Sequence, residues 1–181
     1  MQISSLGAIG FLAISGALAQ PPPDIGPDIG KTLNSVSSYA TRLAPMLEEA
    51  RPKDWVVKGA PDTYIAQWVS SLEQCKGLGA AAKALAGHPD RLPDVLQILF
   101  RIQSLEITTG SMEDGLRRYQ NPALADLLIA TRAESTPVRE KLQQYAVELA
   151  TEKDQQFQVV DREAQRCRQD LSREAPRRTP K

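Results

Sequence analysis

Cys75 and Cys167 are the side chains best equipped for chemistry in this 181-residue chain, which has no other cysteine. Cys167 stands in VVDREAQRCRQDL, between Arg166 and Arg168. Guanidinium groups beside an exposed thiol stabilise the thiolate and raise its reactivity. The spacing around Cys167 argues for a different role. It follows Ala164 by three residues and precedes Leu171 by four, so it falls on an apolar helical stripe. Cys75 follows Leu72 by three on a second stripe. Arginines at i±1 point about 100° to either side and would flank the seam without covering the sulfur. Two core-facing cysteines in a chain with an export signal read as one disulfide, Cys75–Cys167. An intermolecular bridge and two buried free thiols are the alternatives. Closing a loop of about 90 residues contributes about 4 to 5 kcal/mol on the chain-entropy model. Such a crosslink would also hold the polar end of the last helix against the helix carrying Cys75.

The other candidates form no recognisable catalytic or binding set. His88 is the only histidine, and with two distant cysteines it cannot complete a zinc site of known spacing. It precedes Pro89 in a turn and reads as a helix-end residue near the C-terminal dipole. Gly77-Leu78-Gly79 lacks the preceding strand and the lysine of a phosphate loop. Glu48-Glu49 and Glu113-Asp114 are adjacent pairs, so their carboxylates point in different directions on a helix. No serine has the context of an activated nucleophile. We therefore expect no catalytic residue, no metal, no cofactor and no enzymatic activity. The 22 basic and 22 acidic residues balance. Arg162, Arg166, Arg168 and Arg173 alternate with Asp161, Glu163, Asp170 and Glu174, a solvated face that argues against nucleic acid.

The elements around these residues are helical. Leu33, Val36, Ala40, Leu43 and Leu47 recur at three and four, with Pro45 expected to kink or restart the helix. A second helix starts near Pro61 or Asp62, carries Ile65, Trp68, Leu72, Cys75, Ala82 and Leu85, and ends at Gly87-His88-Pro89-Asp90. Leu92 to Thr108 is apolar nearly all round and should be the most buried helix. Gly110 is expected to stop it, with a capping box from Ser111 restarting the chain. Asn121-Pro122 caps another helix, and Ser135-Thr136-Pro137 marks a break or kink. The longest pattern runs Val138, Leu142, Tyr145, Leu149, Lys153, Phe157, Val160, Ala164, Cys167, Leu171, its apolar face thinning after Leu149. With almost no strand signal, the fold class is all-α. We expect a bundle of five or six helices with a long C-terminal helix, stapled by one inter-helix disulfide.

Residues 1–19 resemble a secretory signal: Leu6 to Leu18 is apolar or small, and Ala17-Leu18-Ala19 supplies the small-x-small cleavage pattern. No later stretch reaches membrane length, so no stable span is expected after cleavage. Residues 20–31, with the repeat Pro-Asp-Ile-Gly, read as a Pro/Gly-rich linker, 32–174 as the bundle domain and 175–181 as a basic flexible tail. The expected role is an exported, periplasmic or extracellular, non-catalytic protein acting through contacts with a protein partner. The alternative is a bundle that holds a lipid or other apolar small molecule between its helices. Cleavage after Ala19 makes Gln20 the first residue of the exported protein. Intact-mass measurement of that protein checks this, and a mass retaining residues 1–19 contradicts it.

Overall fold

The computed structural model describes residues 27–174, and their regular structure is entirely helical. The expected cleavage residues Ala17, Ala19 and Gln20, and the basic tail 175–181, lie outside the described residues. In chain order the helices are α1 (Pro27–Glu49), α2 (Pro52–Val57), α3 (Thr63–Gly87), α4 (Leu92–Tyr119), α5 (Pro122–Ala133) and α6 (Ser135–Glu174). The four long helices form a closed ring in which α1 meets α3, α3 meets α4, α4 meets α6 and α6 meets α1. The two short helices brace this ring: α2 lies against α3 and α4, and α5 against α4, α1 and α6. Where periodicity predicts a bundle of five or six helices, four helices build the bundle and two short ones connect it.

Neighbours in the ring run antiparallel. Trp68 Nε1 donates to Leu47 O at 2.6 Å and the Cys75 thiol to Ala40 O at 3.2 Å, so α3 descends as α1 rises. Ser71 Oγ donates to Thr108 Oγ1 and Ser111 Oγ to Gln67 Oε1, which sets α4 against α3 in the same way. On α6, Arg139 Nε meets Glu106 near its start and Lys153 reaches Asp90 further on, opposing α4. The stripes read from the sequence fill the interior: Leu33, Val36, Ala40, Leu43 and Leu47 from α1, Cys75, Ala82 and Leu85 from α3, and Leu142 and Leu149 from α6 are all buried.

Several local expectations change. Pro27 to Gly30, read as linker, form the first turn of α1, where proline's fixed φ suits a helix start. The helix passes through Pro45 to Glu49 without a restart, because Leu43 and Leu47 on either side are fully buried. Likewise α4 does not stop at Gly110. Its stripe Val95, Ile98, Ile102, Leu105, Thr109, Met112, Leu116 is buried throughout, and that burial exceeds the roughly 1 kcal/mol that one helical glycine costs. Pro137 falls in the first turn of α6 and breaks nothing. α4, expected to be the most buried helix, carries a long buried face, but its outer face is not covered: Leu96, Phe100 and Ile107 are exposed. The disulfide also fails: both cysteines are free, Cys75 buried and Cys167 exposed.

Trp55 shows how tightly the end of the ring is closed. It is fully buried, stacks edge-to-face on Tyr64 with centroids 5.5 Å apart, and donates from Nε1 to Gln120 Oε1 at 2.9 Å. Gln120 also accepts from Arg51 N and donates to Glu49 O, tying the end of α4 to the α1–α2 turn. This arrangement requires Gly115, since a Cβ there would lie 2.7 Å from Trp55 Cζ3 and 3.1 Å from Tyr64 Cε1. Gly115→Ala should therefore destabilise the fold by about 1–3 kcal/mol despite its better helix propensity. Gly79→Ala, on α3 with open space around the site, should instead stabilise by up to about 1 kcal/mol. Urea denaturation of both variants checks the pair, and equal effects would contradict the packing argument.

Candidate functional site

Three places on the molecule bring polar or exposed apolar side chains together. The first is a polar seam beside the core where α1, α4, α5 and α6 meet. On α4, Glu106 and Glu113 are seven residues apart, and so are Arg132 and Arg139 across the α5–α6 turn. Because α5 and α6 run back along α4, the pairs match in reverse order. Arg132 Nε donates to Glu113 Oε1 at 2.5 Å, and Arg139 Nε donates to Glu106 Oε1 at 3.2 Å. Ser135, 1% exposed, lies 2.6 Å from Glu106 Oε1 and 2.7 Å from Arg132 O through its Oγ, and its single proton serves one of them at a time. Arg42 of α1 pairs with Glu134 at the same level.

Tyr39 completes the seam from α1. Its hydroxyl is buried and makes no hydrogen bond of ordinary geometry. Burial raises its pKa well above the usual phenol range, and the charges of Glu106 and Cys75 push the same way against the smaller opposing effects of Ser135 and Arg132. A hydroxyl, a carboxylate and a guanidinium in contact resemble a catalytic group, yet Ser135 is sealed and no histidine or other free base adjoins it. The seam works as a clamp. It locks the α5–α6 turn onto α4 and so sets the direction in which α6 leaves. The sequence offers Glu113 only as half of an adjacent carboxylate pair and Ser135 only as part of a helix break, with no sign that they meet. The signal that was present is the matched spacing of seven on two segments, which becomes readable only when their antiparallel pairing is known.

The second place is an open cleft of about 390 Å3 lined by Tyr64, Asp114, Arg117 and Arg118. Arg117 is bonded to Asp126 at 2.5 Å, and the Arg118 guanidinium lies 6.0 Å from the Tyr119 ring centre. The cationic groups at this mouth are thus engaged within the chain. His88 is exposed at the C-cap of α3, as its position before Pro89 suggested. Among the described residues no group of three or more His, Cys, Asp or Glu is placed to hold a metal, and no helix is long and apolar enough to cross a membrane.

The third place is the end of α6. Tyr145 donates from its hydroxyl to Pro89 O at 2.8 Å, and Lys153 reaches Asp90, so the α3–α4 turn forms the base of the bundle at this level. Burial, then the charges of Asp90, Glu152 and Glu148, raise the Tyr145 pKa. Beyond Lys153 the helix continues to Glu174 with almost every residue exposed. Phe157 is 70%, Val160 62% and Leu171 69% exposed. Cys167 belongs to this stripe and faces solvent, because the bundle ends about 20 Å before it at 1.5 Å per residue. Cys75, bonded to Ala40 O, sits near the level of the start of α6, about 45 Å from Cys167 along the helix axis. The predicted bridge is geometrically out of reach.

The two thiols should therefore behave differently. Burial and, to a smaller extent, Glu48 push the Cys75 thiol from 9.0 up to about 11. Between these values the folded chain keeps a proton that the unfolded chain has lost, so this group's contribution to stability falls as pH rises from 9.0 towards about 11. A thiol reagent at neutral pH should label Cys167 alone in the folded protein and both cysteines after unfolding without reductant. Cys75→Ala should flatten the loss of stability above pH 9.0. Two reactive thiols in the folded protein, or none, would contradict the assignment. The chain matches no family model, and no curated protein or solved structure shows significant similarity to it.

Proposed function

We propose that this is an exported, non-catalytic helical-bundle protein that acts through protein–protein contacts, with the free end of α6 as its contact element. One observation carries the reading: a helical stripe of Phe157, Val160, Ala164, Cys167 and Leu171 extends past the bundle with nothing of the described chain against it. An amphipathic helix laid against an apolar groove or a second helix is a common mode of recognition, with anchors at i, i+3, i+7. Holding so much apolar surface in water is unfavourable by roughly 25 cal/mol per Å2, so occupation of the stripe has a driving force. The export part rests on the leader-like residues 1–19. The non-catalytic part is supported by the sealed setting of Ser135 and by the pairing of Glu106 and Glu113 with arginines.

Binding of a lipid or other apolar molecule between the helices calls for an apolar cavity. The described cleft is bordered by Asp114, Arg117 and Arg118, which favours the contact reading. The test compares the wild-type protein with Val160→Glu/Leu171→Glu. Each change places a carboxylate on the free stripe and touches no packed residue. Thermal stability should be unchanged within about 0.5 kcal/mol. Capture of protein by the immobilised chain from its own envelope extract should drop at least about tenfold, the effect of losing one or two anchors. Equal capture by both forms would contradict the reading.

A further inference from the structure

The free stripe points in a definite direction. Leu149, which packs in the bundle, and Val160, which does not, are eleven residues apart, a net rotation of only about 20° at 100° per residue. The same holds for Leu142 and Leu171 across a longer interval. The stripe therefore faces the side on which the bundle itself lies. Whatever covers it must fit in the corner between the free helix and the base formed by Pro89 and Asp90, and must end there.

That geometry discriminates between ways of pairing two copies. A parallel pair would carry the second α6 upward into the first bundle, so the two bundles would occupy the same space. An antiparallel pair places the bundles at opposite ends. The C-terminal end of the second helix then stops at the first bundle's base.

From Phe157 onward the apolar steps are three, four, three, four, the spacing of a two-heptad coiled-coil seam. In the antiparallel register that brings each helix end to the other's base, Val160 opposes Leu171 of the second copy, and Ala164 opposes Cys167 of the second copy. The small residues lie at the centre, where the helices approach most closely. Asp161 then faces Arg168 of the second copy, twice by symmetry. Glu163 approaches Asp170 of the second copy, but each has Arg166 of its own helix within one turn.

The residues after Glu174 supply a second, independent argument. Arg177, Arg178 and Lys181 are basic with no acidic neighbour, while Asp90, which Lys153 already meets, Glu148 and Glu152 lie near Tyr145 at the bundle's base. Within one chain Arg177 and Arg178 cannot reach these carboxylates. Glu174 lies 22 residues of helix beyond Glu152, about 33 Å, whereas the four residues to Arg178 span at most about 14 Å. In the antiparallel register Glu174 of one copy comes level with Phe157 of the other, about 6 Å along the axis from Lys153, a distance that the following residues are long enough to span.

We infer that the free end of α6 is a self-association element, pairing antiparallel with the same segment of a second copy so that the basic residues after Glu174 reach the acidic base of the second bundle. This rests on the contact reading above and specifies its partner. Sedimentation equilibrium of the purified protein between about 1 µM and about 1 mM should show a reversible dimer. Val160→Glu/Leu171→Glu should yield monomer. Asp161→Arg and Arg168→Asp should each weaken the dimer by about tenfold and restore it when combined. Arg177→Glu/Arg178→Glu should weaken it further as salt falls, since like charges then meet at the base. A monomer throughout, or a dimer indifferent to the stripe variant, overturns the inference. A dimer that the charge swap fails to restore overturns the antiparallel register. If the protein is monomeric but the stripe variant still abolishes capture of another protein, self-association fails and the contact reading stands.

Discussion

A break in α4 at Gly110 would leave Met112, Gly115 and Leu116 with no fixed register against Trp55 and Tyr64, and Glu113 with no fixed position opposite Arg132. Continuous burial of one face from Val95 to Leu116 prevents this, and the other elements depend on it. α3, α5 and α6 all pack on α4, with α5 running back along its C-terminal half, and α2 touches it as well. The contribution is cooperative. Each buried residue keeps the next turn in place, so the total outweighs a local glycine preference worth about 1 kcal/mol.

The same helix carries the two carboxylates that direct α6. Glu106 and Glu113 flank the apolar stripe and receive Arg139 and Arg132, with Ser135 bonded between them. Ion pairs partly shielded from water contribute little net stability, because desolvation offsets most of the attraction. Their effect is directional, since a shift of α6 by one turn would take Arg139 away from Glu106, and Arg132 holds the end of α5 to Glu113. The seam therefore fixes where α6 starts and which way it points.

Helix length determines the consequence. α6 has 40 residues and α4 has 28, lengths of about 60 Å and 42 Å. They run antiparallel: α6 starts opposite Glu106, midway along α4, and reaches the α3–α4 turn at Lys153, so its last turns up to Glu174 extend about 30 Å past that turn. Its stripe keeps the helical period it had inside the bundle but has lost the surface that covered it. An apolar face projecting into solvent on a rigid rod differs from scattered exposed residues. Its side chains keep a fixed mutual spacing, which a complementary surface can meet without ordering them first.

Local periodicity was enough to read the helical class, the start of α5 at Asn121-Pro122 and the buried stripe of α1, because helix formation and amphipathicity are properties of neighbours three and four residues apart. The same periodicity placed Cys167 on a stripe correctly and then misjudged what lies opposite it. Spacing reports which way a side chain points on its own helix, and is silent about whether another helix is there. Where the bundle ends at Pro89 and Lys153, that Cys75 and Cys167 are out of reach of each other, and that Glu106, Ser135, Arg139 and Tyr39 converge were decided only by tertiary structure. All three depend on which distant segments become neighbours, and the chain sets that through packing of the whole bundle.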